Sequence, residues 1–138
     1  IDIHNHGDHF YCNFIEDDFI DFYKRKKIGL IFDQKINLEY DYYIANPPYN
    51  CHEVDYIKNN KKELNNVFES IGVHNMYSMF ISAIIDSSKD GALISIISAD
   101  GFLTARMHNP LRKQILEECS IHYLILCPTD LFGNKKQM

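Results

Sequence analysis

The stretch Asn46-Pro47-Pro48-Tyr49 constrains this chain more than any other, because it follows the apolar run Tyr42-Tyr43-Ile44-Ala45 without an intervening residue. Proline fixes φ and has no N–H to donate, so such a loop holds its carbonyls in one orientation and cannot extend a β ladder. A strand, an Asn, two prolines and an aromatic residue in this order predict a rigid loop at the carboxyl end of a buried strand.

The same loop offers two fixed hydrogen-bond acceptors beside an aromatic face. The acceptors are the side-chain oxygen of Asn46 and the carbonyl oxygen of Pro47, and the face is the ring of Tyr49. An exocyclic amine is a poor nucleophile because its lone pair is delocalised, and two hydrogen bonds accepted from its N–H groups stabilise the charge that develops on nitrogen. With a sulfonium methyl donor no strong base is needed, since the reaction is then largely positioning. The pattern favours a site that holds a planar amino group.

With these residues the chain resembles the class I S-adenosylmethionine-dependent methyltransferases. More narrowly, it looks like the N6-adenine DNA methyltransferases of restriction–modification systems, whose hallmark is Asp, Asn or Ser, then Pro-Pro, then Tyr, Phe or Trp. The resemblance implies methyl transfer to N6 of an adenine flipped from DNA, with Asn46, Pro47, Pro48 and Tyr49 as catalytic residues. An ordinary Pro-Pro turn after a strand can have the same short sequence, so support for the resemblance has to come from the neighbouring segments.

Two segments near the amino terminus match family positions that hold the cofactor. Asp2 stands where an acid after the second strand accepts the ribose hydroxyls of S-adenosylmethionine. Asp18 stands where a carboxylate accepts a hydrogen bond from the cofactor adenine, and Phe19 is beside it. From the residues alone, Asp2 is equally a solvated terminal residue. The run Asp17-Asp18 is also compatible with an acidic helix N-terminus, and Asp17 is the alternative to Asp18 if the register shifts by one residue.

Two further aromatic residues match the family pattern. Phe80 belongs to the helical apolar stripe of Met76 to Ile85, and the resemblance places it against the cofactor adenine, although core packing is the general role of such a residue. Phe132 matches a loop aromatic that clamps the flipped adenine opposite Tyr49. The resemblance therefore implies that Tyr49 and Phe132 bind the substrate base.

Alternating apolar strands and amphipathic helices predict an α/β fold, with a mostly parallel sheet covered by helices on both faces. The resemblance implies a partial Rossmann-like methyltransferase fold with its site at the carboxyl ends of the strands. Besides the stripe at Met76 to Ile85, which is expected to end at Asp90-Gly91, the expected elements are a doubly covered strand at Ala92–Ser98, a helix from Pro110 to Cys119, a strand at Ile121–Leu126 and a loop-like segment at Asn50–Ser70.

The composition limits what this chain does by itself. Its 138 residues make one domain or part of one, and its net charge of −5 argues against binding the DNA backbone, which depends on Lys and Arg. Scattered cysteines without a secretion signal indicate a cytoplasmic protein, and the irregular spacing of His4, His6, His9 and Cys12 does not predict a zinc site. The basic run Lys24–Lys27 is expected to be a solvated helix face.

The family pattern is also incomplete. The six glycines are scattered, so the Gly-rich turn that approaches the cofactor is absent, as is a target-recognition domain. Residues 1–138 are therefore expected to be a partial catalytic domain, inactive alone, that meets double-stranded DNA through other regions and possibly a restriction or specificity subunit. The alternatives are a protein-glutamine or RNA amino-group methyltransferase with the same loop, and a non-catalytic interaction module.

Overall fold

In a computed structural model of this protein, residues 16–27, 40–49 and 54–128 are described. Within these ranges no helix is long and apolar enough to cross a membrane. The elements follow one another as α1 (Phe19–Lys27), β1 (Tyr42–Ala45), α2 (Val54–Val67), α3 (Met76–Ser87), β2 (Leu93–Ile96), α4 (Gly101–Thr104), a 3-10 turn (Arg106–His108) and α5 (Asn109–Glu118).

Strands β1 and β2 pair in parallel, with Tyr42 opposite Leu93 and Ala45 opposite Ile96. The pairing continues past the strand end, because the amide of Ile97 donates to the carbonyl of Ala45 at 3.0 Å. Parallel strands need a crossover connection, and α2 and α3 lie in sequence between the two strands. This mixture of helices with a small parallel sheet agrees with the predicted α/β class.

Only one face of this two-stranded sheet is covered by the described residues. Ile94 and Ile96 pack against the helical core, whereas Tyr42 and Ile44 are 73% and 90% exposed. Successive side chains on a strand point to opposite faces, so a core on one side buries only every second residue. The expectation that Ala92–Ser98 would be covered on both faces is therefore wrong for the described part of the chain.

Helix α3 is the centre of the core and confirms the helix predicted over Met76 to Ile85. Its residues Met79 and Ala83 are fully buried. The side-chain oxygen of Asn75 caps the helix by accepting from the amide of Ser78 at 2.9 Å. The helix ends at Ser87, before the predicted stop, and Gly91 instead adopts a φ of +81° in the turn that leads to β2.

Helix α2 corrects the expectation that Asn50–Ser70 is loop-like. Val54–Val67 is helical, and its buried residues Leu64 and Val67, together with Phe68, lie at helical spacing on one face. The Asn and Lys residues that suggested a loop are largely on the solvent side. A polar helix that contributes only a narrow apolar stripe to the core has the composition of a loop, which explains the error.

The segment Ile121–Leu126 is another correction, because it forms no strand. Its residues are exposed, and no described strand pairs with it. A run of β-branched and apolar residues favours extended backbone, but a strand exists only when a neighbour accepts and donates its hydrogen bonds. Within the described residues, Ile121–Leu126 has no such neighbour.

The basic run of α1 is less solvated than predicted. Lys24 is 6% exposed, and its Nζ lies 2.7 Å from Asp21 Oδ1 and 3.3 Å from Glu63 Oε1, which ties α1 to α2. Arg25 forms an ion pair with Asp17. The apolar stem of lysine allows burial when the ammonium group is paired, so the expectation of a solvated face fails at Lys24.

A buried histidine joins α3 to the start of α5. His108 Nε2 lies 3.0 Å from the hydroxyl of Tyr77 and 3.1 Å from Nδ2 of Asn75. Burial lowers the pKa of His108, and the nearby His74 and Arg112 act in the same direction. At neutral pH the imidazole is therefore uncharged, as its enclosed position requires.

Candidate active site

The loop Asn46–Tyr49 begins directly after β1, as its sequence predicts, although β1 is not the buried strand that was expected. Pro47 is fully buried and so anchors the loop to the core, whereas the preceding Asn46 is exposed. Because proline also restricts φ, the backbone here is held in one direction while the amide side chain of Asn46 stays exposed to a ligand. This is the geometry expected of a loop that presents an acceptor.

The hydroxyl of Tyr49 closes this loop onto the end of β2. It donates to the side-chain oxygen of Asn46, and it lies 3.2 Å from the carbonyl oxygen of Ile97. Burial, followed by the nearby Cys127, raises the pKa of Tyr49. The hydroxyl is therefore protonated at neutral pH and acts as a donor.

A cavity of about 290 Å³ opens beside the loop. Asn46 and Pro47 form one part of its wall, and Phe19 and Phe80 form another. The cavity is lined by aromatic and aliphatic side chains and by one amide: Phe19, Tyr43, Ile44, Ala45, Asn46, Pro47, Phe80 and Ile84. A mostly apolar concave site with a few polar groups, here including the amide of Asn46, is the usual form of a small-molecule site.

The two aromatic residues predicted to bind the cofactor are neighbours in space. The ring centroids of Phe19 and Phe80 are 4.8 Å apart, with the ring planes inclined by 35°. Phe19 begins α1 and Phe80 lies in α3, so the packing of these helices creates the aromatic wall. Both side chains are only partly buried, which leaves ring surface for a ligand.

Asp18 is exposed and caps α1. Its Oδ1 accepts a hydrogen bond from the amide of Asp21 at 2.9 Å, which is the capping role expected from an acidic helix N-terminus. The capping bond uses one carboxylate oxygen, and Asp18 directly precedes Phe19, which lines the cavity. Its contact with a cofactor stays a prediction.

Two predicted site residues, Asp2 and Phe132, lie outside the described residues. Their assignments to the cofactor ribose and to the base clamp remain predictions. Among the described residues, no group of three or more His, Cys, Asp or Glu side chains forms a metal site.

The sequence did not reveal the backbone partners of two tyrosine hydroxyls at the site. One is the carbonyl of Ile97, approached by Tyr49, and the other is the carbonyl of Ser87, which accepts from Tyr43 at 2.9 Å. Both bonds join residues far apart in the chain. The apolar run after Gly91 predicted a strand near Ile97, but only the parallel register places its carboxyl end beside the Asn46 loop.

Comparison with known proteins agrees with the motif evidence. The family described as N-6 DNA Methylase matches residues 15–137, nearly the whole chain. No curated protein and no solved structure matches the chain significantly. The matched region contains the Asn46–Tyr49 loop, the aromatic pair and both described strands. The chain therefore belongs to the N-6 DNA methylase family, a family of DNA methyltransferases.

Proposed function

We propose that this protein transfers a methyl group from S-adenosylmethionine to the N6 amino group of an adenine flipped out of DNA. The observation that carries the proposal is a single cavity lined by the Asn46 loop and by the Phe19–Phe80 pair. An amine-holding group and an aromatic wall in one cavity are what such a transfer requires. The parallel pairing of β1 and β2 further supports a Rossmann-like methyltransferase fold.

Catalysis in this proposal rests on two acceptors. Asn46 Oδ1 and the Pro47 carbonyl accept hydrogen bonds from the target amine, which localises the nitrogen lone pair and stabilises its developing positive charge. The ring of Pro47 fixes its φ and the following Pro48 restricts its ψ, so the Pro47 carbonyl does not have to reorganise during the reaction. The remaining contribution of the chain is to position the target amine against the methyl donor.

The aromatic wall fits the adenine part of S-adenosylmethionine, on which members of this family generally depend. That cofactor supplies a methyl group activated by a sulfonium. Two partly exposed rings suit a planar base, and Asp18 beside them would accept from its amino group, with Asp2 on the ribose. The cavity of about 290 Å³ is just below the usual volume of small-molecule sites, about 300–1,000 Å³. The described residues thus suit the nucleoside part.

A flipped adenine needs replacement stacking partners. Extrusion from a duplex takes a few kcal/mol, and an aromatic stack contributes about 1–3 kcal/mol per base. In the proposal, Tyr49 covers one face of the base and Phe132 covers the other. The net charge of −5 favours duplex binding through other regions or a specificity subunit, in a cytoplasmic restriction–modification or related defence system.

The same loop suits two other planar amines, namely a protein glutamine amide and an RNA base. To separate them, the natural full-length protein is incubated with methyl-tritiated S-adenosylmethionine and with duplex DNA, single-stranded RNA or a glutamine-bearing protein. Label is expected in DNA, as N6-methyladenine after digestion to nucleosides. Label in RNA or protein alone would reassign the substrate, and no label in any arm would favour a non-catalytic interaction module.

A further inference from the structure

The hydroxyl of Tyr49 faces two acceptors that belong to different parts of the site. It donates to Oδ1 of Asn46 within the loop, and the carbonyl of Ile97 lies 3.2 Å away at the carboxyl end of β2. A tyrosine hydroxyl carries one hydrogen, whereas an amide oxygen accepts two hydrogen bonds. The bond from Tyr49 therefore uses one acceptor direction of Asn46 and leaves the other open.

The orientation of Asn46 matters because its side chain has two unlike ends. The oxygen accepts from an amine, but the Nδ2 end presents N–H groups that would face the N–H groups of the amine. Asn46 is exposed, so burial does not choose between the two orientations. A hydrogen-bond donor on the loop that bonds Oδ1 of Asn46 would select one of these two orientations.

We propose that the Tyr49 hydroxyl is a positioning group that holds the carboxamide of Asn46 with its oxygen available to the target amine. This role is separate from stacking by the Tyr49 ring, and it rests on the proposed function of the loop. The carbonyl of Ile97, 3.2 Å from the same hydroxyl, is a second acceptor for its one hydrogen and lies at the end of β2. The register of β2 fixes that carbonyl, since the amide of Ile97 donates to the carbonyl of Ala45 at 3.0 Å.

The first test is Tyr49→Phe in the natural full-length protein, which removes the hydroxyl and keeps the ring. Loss of one positioning hydrogen bond is expected to lower kcat about 3- to 10-fold, with little change in KM for DNA because stacking is retained. Tyr56→Phe is the matched control. It removes a hydroxyl that bonds Asp21 at 2.9 Å, on a residue that does not line the cavity, and is expected to leave kcat unchanged.

The second test repeats Tyr49→Phe in an Asn46→Asp background. The two carboxylate oxygens of Asp are both acceptors, so no orientation needs to be chosen and the loss in kcat should largely disappear. An equal loss in both backgrounds, a loss confined to KM, or wild-type kcat in Tyr49→Phe would each overturn the positioning role.

Asn46→Ala separates this inference from the proposed function. If Asn46→Ala has a strongly lowered kcat while Tyr49→Phe has wild-type kcat, only the positioning role fails. If Asn46→Ala keeps wild-type kcat, the catalytic role of the loop fails, and the positioning role fails with it.

Discussion

The rings of Phe19 and Phe80 meet at 4.8 Å between centroids, although they belong to two helices that are far apart in the sequence. The family resemblance predicts that both residues bind the same ligand, Phe19 as part of an acid-Phe pair and Phe80 as an aromatic residue on a helix. Their meeting in a cavity that also contains Asn46 makes the aromatic pair the natural place to test cofactor binding.

Replacing Phe80 with Ala should weaken S-adenosylmethionine binding about 5- to 150-fold, the equivalent of one aromatic–base stack. Calorimetric titration of the natural full-length protein measures this. Phe102→Ala is the matched control, because Phe102 is also a partly buried phenylalanine on the core but does not line the cavity. Equal affinities for the wild type and Phe80→Ala would remove Phe80 from the cofactor site.

Replacing Asn46 with Ala should lower kcat about 100-fold or more, since an acceptor aimed at developing charge is lost. Cofactor affinity should change little, because the aromatic wall is intact. Single-turnover methylation of duplex DNA measures the chemical step. Asn46→Asp, which keeps an acceptor and matches the family hallmark, should retain far more activity than Asn46→Ala.

The buried imidazole of His108 should make stability depend on pH. Its pKa in the folded protein is lowered, so below the ordinary value of about 6.5 the unfolded chain binds more protons than the folded one. Its contribution is therefore fully present above that value and is lost as the pH falls through it towards the lower folded pKa. Urea unfolding from pH 7.5 to 5 should show decreasing stability.

The His108→Leu variant tests the source of that pH dependence. It is expected to be less stable at neutral pH, because Tyr77 and Asn75 lose a partner, yet to show a shallower decline towards pH 5. A decline as steep as that of the wild type would assign the effect to other groups.

Lys24→Met should lower the free energy of unfolding by about 1–2 kcal/mol, between the values for exposed and buried ion pairs. The lysine is buried, but its partners Asp21 and Glu63 are 41% and 55% exposed and so remain partly hydrated. Lys26→Met on the same helix is the matched control, since Lys26 is exposed. Equal effects of the two substitutions on the free energy of unfolding would contradict a stabilising ion pair between α1 and α2.

The sequence predicted best where structure is local. The loop at Asn46 follows its strand as expected, and the stripe at Met76 to Ile85 is a helix, because both depend on neighbouring residues. Strand pairing depends on residues far apart in the chain, which the local sequence does not show. For this reason Ile121–Leu126 was predicted as a strand, although no described strand pairs with it. The burial of Lys24 was missed for the same reason, since Glu63 lies on another helix.

In the candidate site, too, the sequence predicted local features and missed contacts between distant residues. The resemblance predicted that the Asn46 loop binds an amine and that Phe19 and Phe80 bind the cofactor. The structure brings these three residues to one cavity, and their roles stay predictions. The bond from Tyr49 to Asn46 and its approach to Ile97 could not be predicted, because they depend on side-chain rotamers and on the register of β1 and β2.

The Asn75 side chain joins two helices through its opposite ends. Its oxygen caps α3, and its nitrogen contacts His108 at the start of α5. Local opening of α5 would remove a support from the first turn of α3, the helix that carries Phe80. Amide hydrogens in α3 and α5 should therefore exchange with deuterium as one cooperative unit. Opening of α5 would then also loosen the Phe19–Phe80 wall, although α5 contributes no side chain to the cavity.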